Sequence, residues 1–170
     1  IVQWALGTDD TTPVEFEDAA SVWPPKGHLY NTAVRTSFRA RYASGVELIC
    51  QTQKPGFGVR FEGTEGWVQY AEGKVTTHPE SLADSQIGPD ETRLPISTNH
   101  YRNFLDCVKS REEPIEPVEV GHRTACICHV GNIAMQLKRK VRWDPQQERF
   151  IDDEEANRML RRPCREPWHL

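Results

Sequence analysis

The sequence predicts an α+β domain: an open, mostly antiparallel β-sheet with helices packed on one face. Three observations predict it. Short segments of period-two alternation follow one another through the first half of the chain with no helical stretch between them, which is the pattern of a meander. The second half changes to helical spacing. One stretch there, Gly121 to Leu137, is apolar around most of its circumference, as a helix buried against a sheet must be.

Ile1 to Gly7 reads as the last turns of an amphipathic helix stopped by Gly7. It lacks an N-cap residue and a polar lead-in, and the first N–H groups of a helix need partners. The expectation is therefore a C-terminal part of a longer protein. Thr8 to Thr12 is a polar, acidic turn, and Val14-Glu15-Phe16-Glu17 alternates as a half-buried strand does. Ser21 to Asn31, with Pro24, Pro25 and Gly27, is a long irregular connection. Val34, Thr36, Phe38, Ala40 and Tyr42 then alternate with Arg35, Ser37, Arg39 and Arg41. After the turn Ala43-Ser44-Gly45 the chain returns through Val46-Glu47-Leu48-Ile49-Cys50-Gln51, a hairpin with one apolar and one wet, basic face. Val59-Arg60-Phe61-Glu62, the turn Gly63-Thr64-Glu65-Gly66 and Trp67-Val68-Gln69-Tyr70 make a second pair. Gly73 turns the chain again into Lys74-Val75-Thr76-Thr77.

Pro79 to Pro95 is polar, is broken by Gly88-Pro89-Asp90, and reads as a crossing loop. Tyr101, Phe104, Leu105 and Val108 fall at helical spacing behind a cap at Thr98 or Asn99, and Pro114 and Pro117 end that helix. Gly131 inside the buried helix costs stability, which predicts the close approach of another backbone. Val141-Arg142-Trp143 is a short strand, Asp144-Pro145 a turn, and Arg149-Phe150-Ile151 another strand. Asp153 to Leu160 is the last helix, with tail from Pro163.

With 170 residues, 37% apolar and 27% charged, the chain suits a single domain, 1–170, with its own core. A formal charge of −4 argues against a nucleic-acid binder. Arg158, Arg161, Arg162 and Arg165 follow Asp152, Asp153, Glu154 and Glu155, an order that complements a helix dipole without any ligand. No apolar run reaches transmembrane length. Five cysteines at scattered spacing form no disulfide or zinc-ribbon pattern. Free thiols in a reducing compartment fit best, and a periplasmic home stays open.

Candidate chemistry is sparse. Gly56 and Gly58 flank Phe57 with no helix behind them, so no phosphate cradle is expected. His122, Cys126 and His129 share one stripe of the buried helix. They can ligate a metal, but small buried Cys and satisfied His are the commoner occupants, so packing is favoured. His122 and Arg123 open that helix, where the dipole favours polar or anionic ligands. The competing reading is a surface His beside an Arg paired to Glu119. Tyr30 and Asn31 end the Pro/Gly-rich loop and offer hydroxyl and amide groups to a sugar-like ligand. The row Arg35, Ser37, Arg39 and Arg41 lies on the wet sheet face, and subunit packing there is the reading favoured over plain solvation.

Several segments together carry a resemblance. They are Ile1-Val2-Gln3-Trp4-Ala5-Leu6-Gly7, Val59 to Trp67, His100 to Val108, Glu119-Val120-Gly121-His122-Arg123, Gly131-Asn132-Ile133-Ala134 and Trp143-Asp144-Pro145. In this order they resemble the C-terminal domain of the glucose-fructose oxidoreductase / inositol dehydrogenase (Gfo/Idh/MocA) family, in its large bacterial, planctomycete-type branch. The resemblance implies a parent with an N-terminal Rossmann domain that holds NAD or NADP. It also implies hydride transfer to or from a sugar, polyol or related carbinol, and an open sheet that mediates homo-oligomer contacts. In that branch the junction motif resembles His-His-x-Asp immediately before Ile-x-Gln-Trp. Ile1, Gln3 and Trp4 match the tail of this motif, so the catalytic groups are expected upstream of Ile1 and none within the chain.

The expectation is then a substrate and oligomerisation domain, inactive alone, with no cofactor or metal of its own and with Tyr30, Asn31, His122 and Arg123 lining the substrate pocket. A free-standing binding or assembly module with the same sheet is the alternative. A metal-dependent lyase or hydrolase using His122, Cys126 and His129 is a third reading.

Overall fold

The computed structural model describes residues 1–52, 57–93, 95–162 and 164–167. In chain order the elements are α1 (Val2–Leu6), β1 (Glu15–Asp18), β2 (Ser37–Arg41), β3 (Glu47–Gln51), β4 (Gly58–Glu62), β5 (Trp67–Ala71) and β6 (Lys74–His78). A 3-10 turn follows (Glu80–Asp84), then α2 (His100–Ser110), α3 (Val118–Leu137), β7 (Val141–Asp144), β8 (Arg149–Phe150) and α4 (Glu154–Arg158). The fold is α+β, but the strands form two antiparallel sheets where the sequence predicts one meander. Two compact units divide the chain: residues 1, 3–52 and 118–170, and Val2 with residues 53–117. The glycine loop at Gly56 and the final tail residues 168–170 fall outside the described residues.

In the first unit the sheet order is β3-β2-β1-β7-β8. Alternation sets the register: Phe16 sits opposite Ala40, and Phe38 opposite Cys50, so the apolar side chains share a face. Phe16, Phe38, Ala40, Val141, Trp143 and Phe150 meet Ile127, Val130, Ile133, Ala134 and Met135 of α3, with Ala156 of α4 behind them. Burying one side chain such as Phe16 or Val130 is worth about 1.5–3 kcal/mol. That outweighs the ~1 kcal/mol that Gly131 costs the helix. The neighbour that excludes a side chain at Gly131 is the ring of Phe38, and not a backbone as predicted. The buried residues of α3, Ile127, Val130, Gly131, Ile133, Ala134 and Met135, all lie from Ile127 onward, and its first turns are largely exposed. The helix also starts at Val118, earlier than Gly121, because Pro117 needs no N–H partner at a helix start.

Two further expectations shift. Alternation predicts Val34 on the apolar face, yet it is exposed, because Val22 bridges Arg35 and the strand proper begins at Ser37. Alternation predicts Ser37 on the wet face, yet it is buried, its hydroxyl donating to the Ala19 carbonyl.

α1 ends at Gly7, whose φ of +62° supplies the left-handed cap. Gln3 anchors it. This side chain is 5% exposed, and its amide donates to the carbonyls of Thr8 and Thr11, both at 2.8 Å. Its Oε1 accepts from the hydroxyls of Thr8, at 2.8 Å, and Tyr42. All four hydrogen-bonding positions of the amide are filled. At the opposite end of the sheet, the Phe150 N–H donates to Asn157 Oδ1 (2.8 Å) and Asn157 Nδ2 donates to the Phe150 carbonyl (2.9 Å). Asp153 caps α4 by accepting from the Ala156 N–H at 3.1 Å and also holds Arg139.

The second unit holds the sheet β4-β5-β6, the 3-10 turn and α2. Asn99 caps α2, its Oδ1 accepting from the Arg102 N–H at 2.9 Å. The Arg60 guanidinium lies over the Trp67 ring, 4.2 Å from its centroid. No described residue of this unit is fully buried.

Candidate functional site

The polar groups that converge most closely lie at the start of α3. Glu119, His122, Arg123 and Cys126 recur at intervals of three and four, so one stripe of the helix presents them together. The turn between β7 and β8 faces that stripe. Asp144 nucleates this turn by accepting the N–H groups of Gln146 (2.9 Å) and Gln147 (3.0 Å). Glu148 then takes a φ of +48°, and its carboxylate meets the helix.

Glu148 Oε1 lies 2.6 Å from His122 Nε2 and accepts from Arg123 Nη1 at 3.1 Å. The same Nη1 donates to the Pro145 carbonyl at 2.8 Å, and Arg123 Nε donates to Glu119 at 2.7 Å. The Arg123 side chain is 15% exposed and joins two carboxylates to the turn. Cys126 Sγ sits 3.6 Å from His122 Nε2. Burial, and then the negative charge of Glu148, push the Cys126 thiol up from its ordinary value, with Arg123 opposing them. That shift disfavours the thiolate form on which cysteine nucleophilicity depends.

The structure thus joins His122 and Arg123 through Glu148, and the pairing of Arg123 with Glu119 weighed from the sequence is present. His129 is exposed and stands outside the cluster; Glu148 takes the place the sequence analysis gave it. Tyr30 and Asn31 are exposed on their loop, and among the described residues no hydrogen bond ties either to the α3 cluster. Sequence reasoning missed Glu148 because only the tertiary fold brings it to α3; the legible signal was the Asp144-Pro145 turn before it. On the wet sheet face Arg39 pairs with Glu17 (3.4 Å), Arg41 with Glu47 (2.8 Å) and Lys140 with Glu15 (3.5 Å).

A family model described as "Oxidoreductase family, C-terminal alpha/beta domain" matches residues 1–170. The chain belongs to the Gfo/Idh/MocA family. No curated protein and no solved structure matches it.

Gfo/Idh/MocA membership identifies the chain as the C-terminal domain of an oxidoreductase. The family usually uses NAD(P), held in its N-terminal domain. Within this C-terminal domain, Gln3 is an internal strut: with both amide groups saturated by Thr8, Thr11 and Tyr42, it has nothing left to offer a ligand.

Proposed function

We propose that this chain forms the substrate side of an NAD(P)-dependent oxidoreductase that moves hydride to or from a sugar, polyol or related carbinol. The observation that carries this reading is the family match over the whole chain. In this reading the proton-handling groups precede α1 in the full-length parent, and Gln3 fixes the direction in which they enter the site by tying α1 to Tyr42 and the Thr8–Thr11 turn.

Tyr30, Asn31, His122 and Arg123 line the substrate pocket in this reading. Arg123 supplies a guanidinium already oriented by Glu119 and Glu148, so little rotamer entropy is lost when a hydroxyl binds near it. Alone, the chain has no dinucleotide-binding motif and is inactive. Its partners are its own Rossmann domain and a second copy packed on the sheet face of Arg39 and Arg41.

The test is NAD(P)-dependent turnover of a panel of sugars and polyols by the full-length protein beside the 170-residue chain. The expected result is reduction of the nicotinamide by the former only. A full-length protein inert with every substrate and both nucleotides would favour a binding or assembly module instead. Replacing His122 or Tyr30 in the active protein should lower kcat/KM, and unchanged values remove those residues from the pocket.

A further inference from the structure

We propose that His122, Cys126 and Glu148 form a binding site for a borderline divalent metal ion of the zinc type, with a fourth coordination position open to water or an oxygen ligand. Their ligand atoms all lie within 4.8 Å of one another. A nitrogen, a sulfur and a carboxylate oxygen select zinc or cobalt over magnesium and calcium. Zinc bonds of about 2.3 Å to sulfur and about 2.05 Å to nitrogen set a tetrahedral S···N edge of roughly 3.6 Å. Cys126 Sγ and His122 Nε2 are 3.6 Å apart.

Of the two remaining edges, sulfur to carboxylate oxygen lies within 4.8 Å, and nitrogen to oxygen needs an adjustment. Nε2 and Oε1 stand at hydrogen-bond distance, 2.6 Å, and must open to roughly 3.3 Å when a metal comes between them. Both side chains are about two-fifths exposed, 45% for His122 and 39% for Glu148, so neither is locked by packing. Arg123 already donates to the same carboxylate oxygen, at 3.1 Å. Its bonds to Glu119 and to the Pro145 carbonyl hold it in place independently of Glu148. It then acts as the outer partner that orients a ligating carboxylate. On binding, the Cys126 thiol gives its proton to solvent and the His122 proton resides on Nδ1, so a thiolate and a carboxylate balance the dication. Such a metal would tie the second turn of α3 to the β7–β8 turn and set a Lewis-acidic point beside Arg123.

This inference stands apart from the oxidoreductase reading, because its readout is metal binding and not turnover. The purified protein is stripped with a chelator and titrated with cobalt(II), then with zinc, while the visible ligand-field and near-ultraviolet thiolate-to-metal bands are followed. The expected result is one equivalent bound with the intense bands of a tetrahedral thiolate site, displaced by zinc and not by magnesium. Cys126→Ser removes the charge-transfer band. Cys126→Ser, His122→Asn and Glu148→Gln each weaken binding at least about tenfold, with circular dichroism checking that each folds. Cys128→Ser and His129→Ala leave it unchanged. A wild-type protein without a saturable site, a weak octahedral spectrum, or binding that follows Cys128 or His129 overturns the proposal.

Discussion

Gly131 of α3 carries the ring of Phe38 of β2 against its bare Cα: a Cβ built on Gly131 would lie 2.6 Å from Cζ and under 3 Å from both Cε atoms. Phe38 is itself buried, at 2% exposed, so the ring has no space to retreat into. This one contact sets how closely the helix approaches the sheet.

Gly131→Ala should therefore destabilise the protein although alanine is the better helix former. Overpacking costs typically 1–3 kcal/mol against a propensity gain of ~1 kcal/mol, for a net loss of about 1 kcal/mol. Urea denaturation reads it as a lower midpoint at unchanged slope. Combining it with Phe38→Leu should recover most of the loss, and a stabilised single variant would contradict the contact.

Gln3→Leu should cost about 2–4 kcal/mol, because it strips partners from the buried Tyr42 hydroxyl and from partly buried hydroxyl and carbonyl groups at Thr8 and Thr11. Tyr42→Phe, which removes one donor only, should cost about 1 kcal/mol. Thermal unfolding of the pair tests the order; equal effects would mean that the amide is not the hub.

The Arg139 guanidinium, with help from the Ala156 N–H, holds the Asp153 carboxyl below its ordinary value of 3.8. A carboxyl lowered in the folded state adds stability that is present above the unfolded value and is lost as pH falls through the folded one. Melting temperature should thus drop below about pH 4, partly through this group. Asp153→Asn keeps a capping side chain but loses the ion pair, so its acid limb should be flatter. Asp153→Ala should cost a further ~1 kcal/mol at neutral pH for the missing cap. Parallel acid limbs in all three proteins would dismiss the assignment.

Arg39→Glu with Arg41→Glu places acids against Glu17 and Glu47 on the wet sheet face. Exposed ion pairs are worth about 0–1 kcal/mol each, so the fold should survive. If a second copy packs there, light scattering should give a dimer or larger for the wild type and a single chain for the variant. A wild-type monomer at high concentration would end the idea of a subunit interface on this face.

What was legible in the sequence was local. The hairpin of Phe38 and Ala40 with Leu48 and Cys50 is written in alternation, as is β5 with its neighbours, because each strand's pattern and its turn lie side by side. The stop at Gly7 was readable, and the cap of α2 was narrowed to Thr98 or Asn99, of which the structure uses Asn99. The split into two sheets was not. Alternation says which face a strand buries and nothing about which distant strand it joins, and β1 pairs with β7 from the far end of the chain. The candidate site divides the same way: the helical stripe of His122 and Cys126 was visible, whereas Glu148 arrives through a left-handed residue in a turn that no periodicity marks.

Asn157 has a consequence of its own. By giving and taking one hydrogen bond with Phe150, its side-chain amide impersonates a peptide group of a sixth strand. The outer margin of β8 is thereby spoken for, and a foreign strand arriving there finds no free pair of backbone groups at Phe150. Any lengthening of this sheet by another chain is directed to the other rim, along β3, where Glu47 and Gln51 stand exposed.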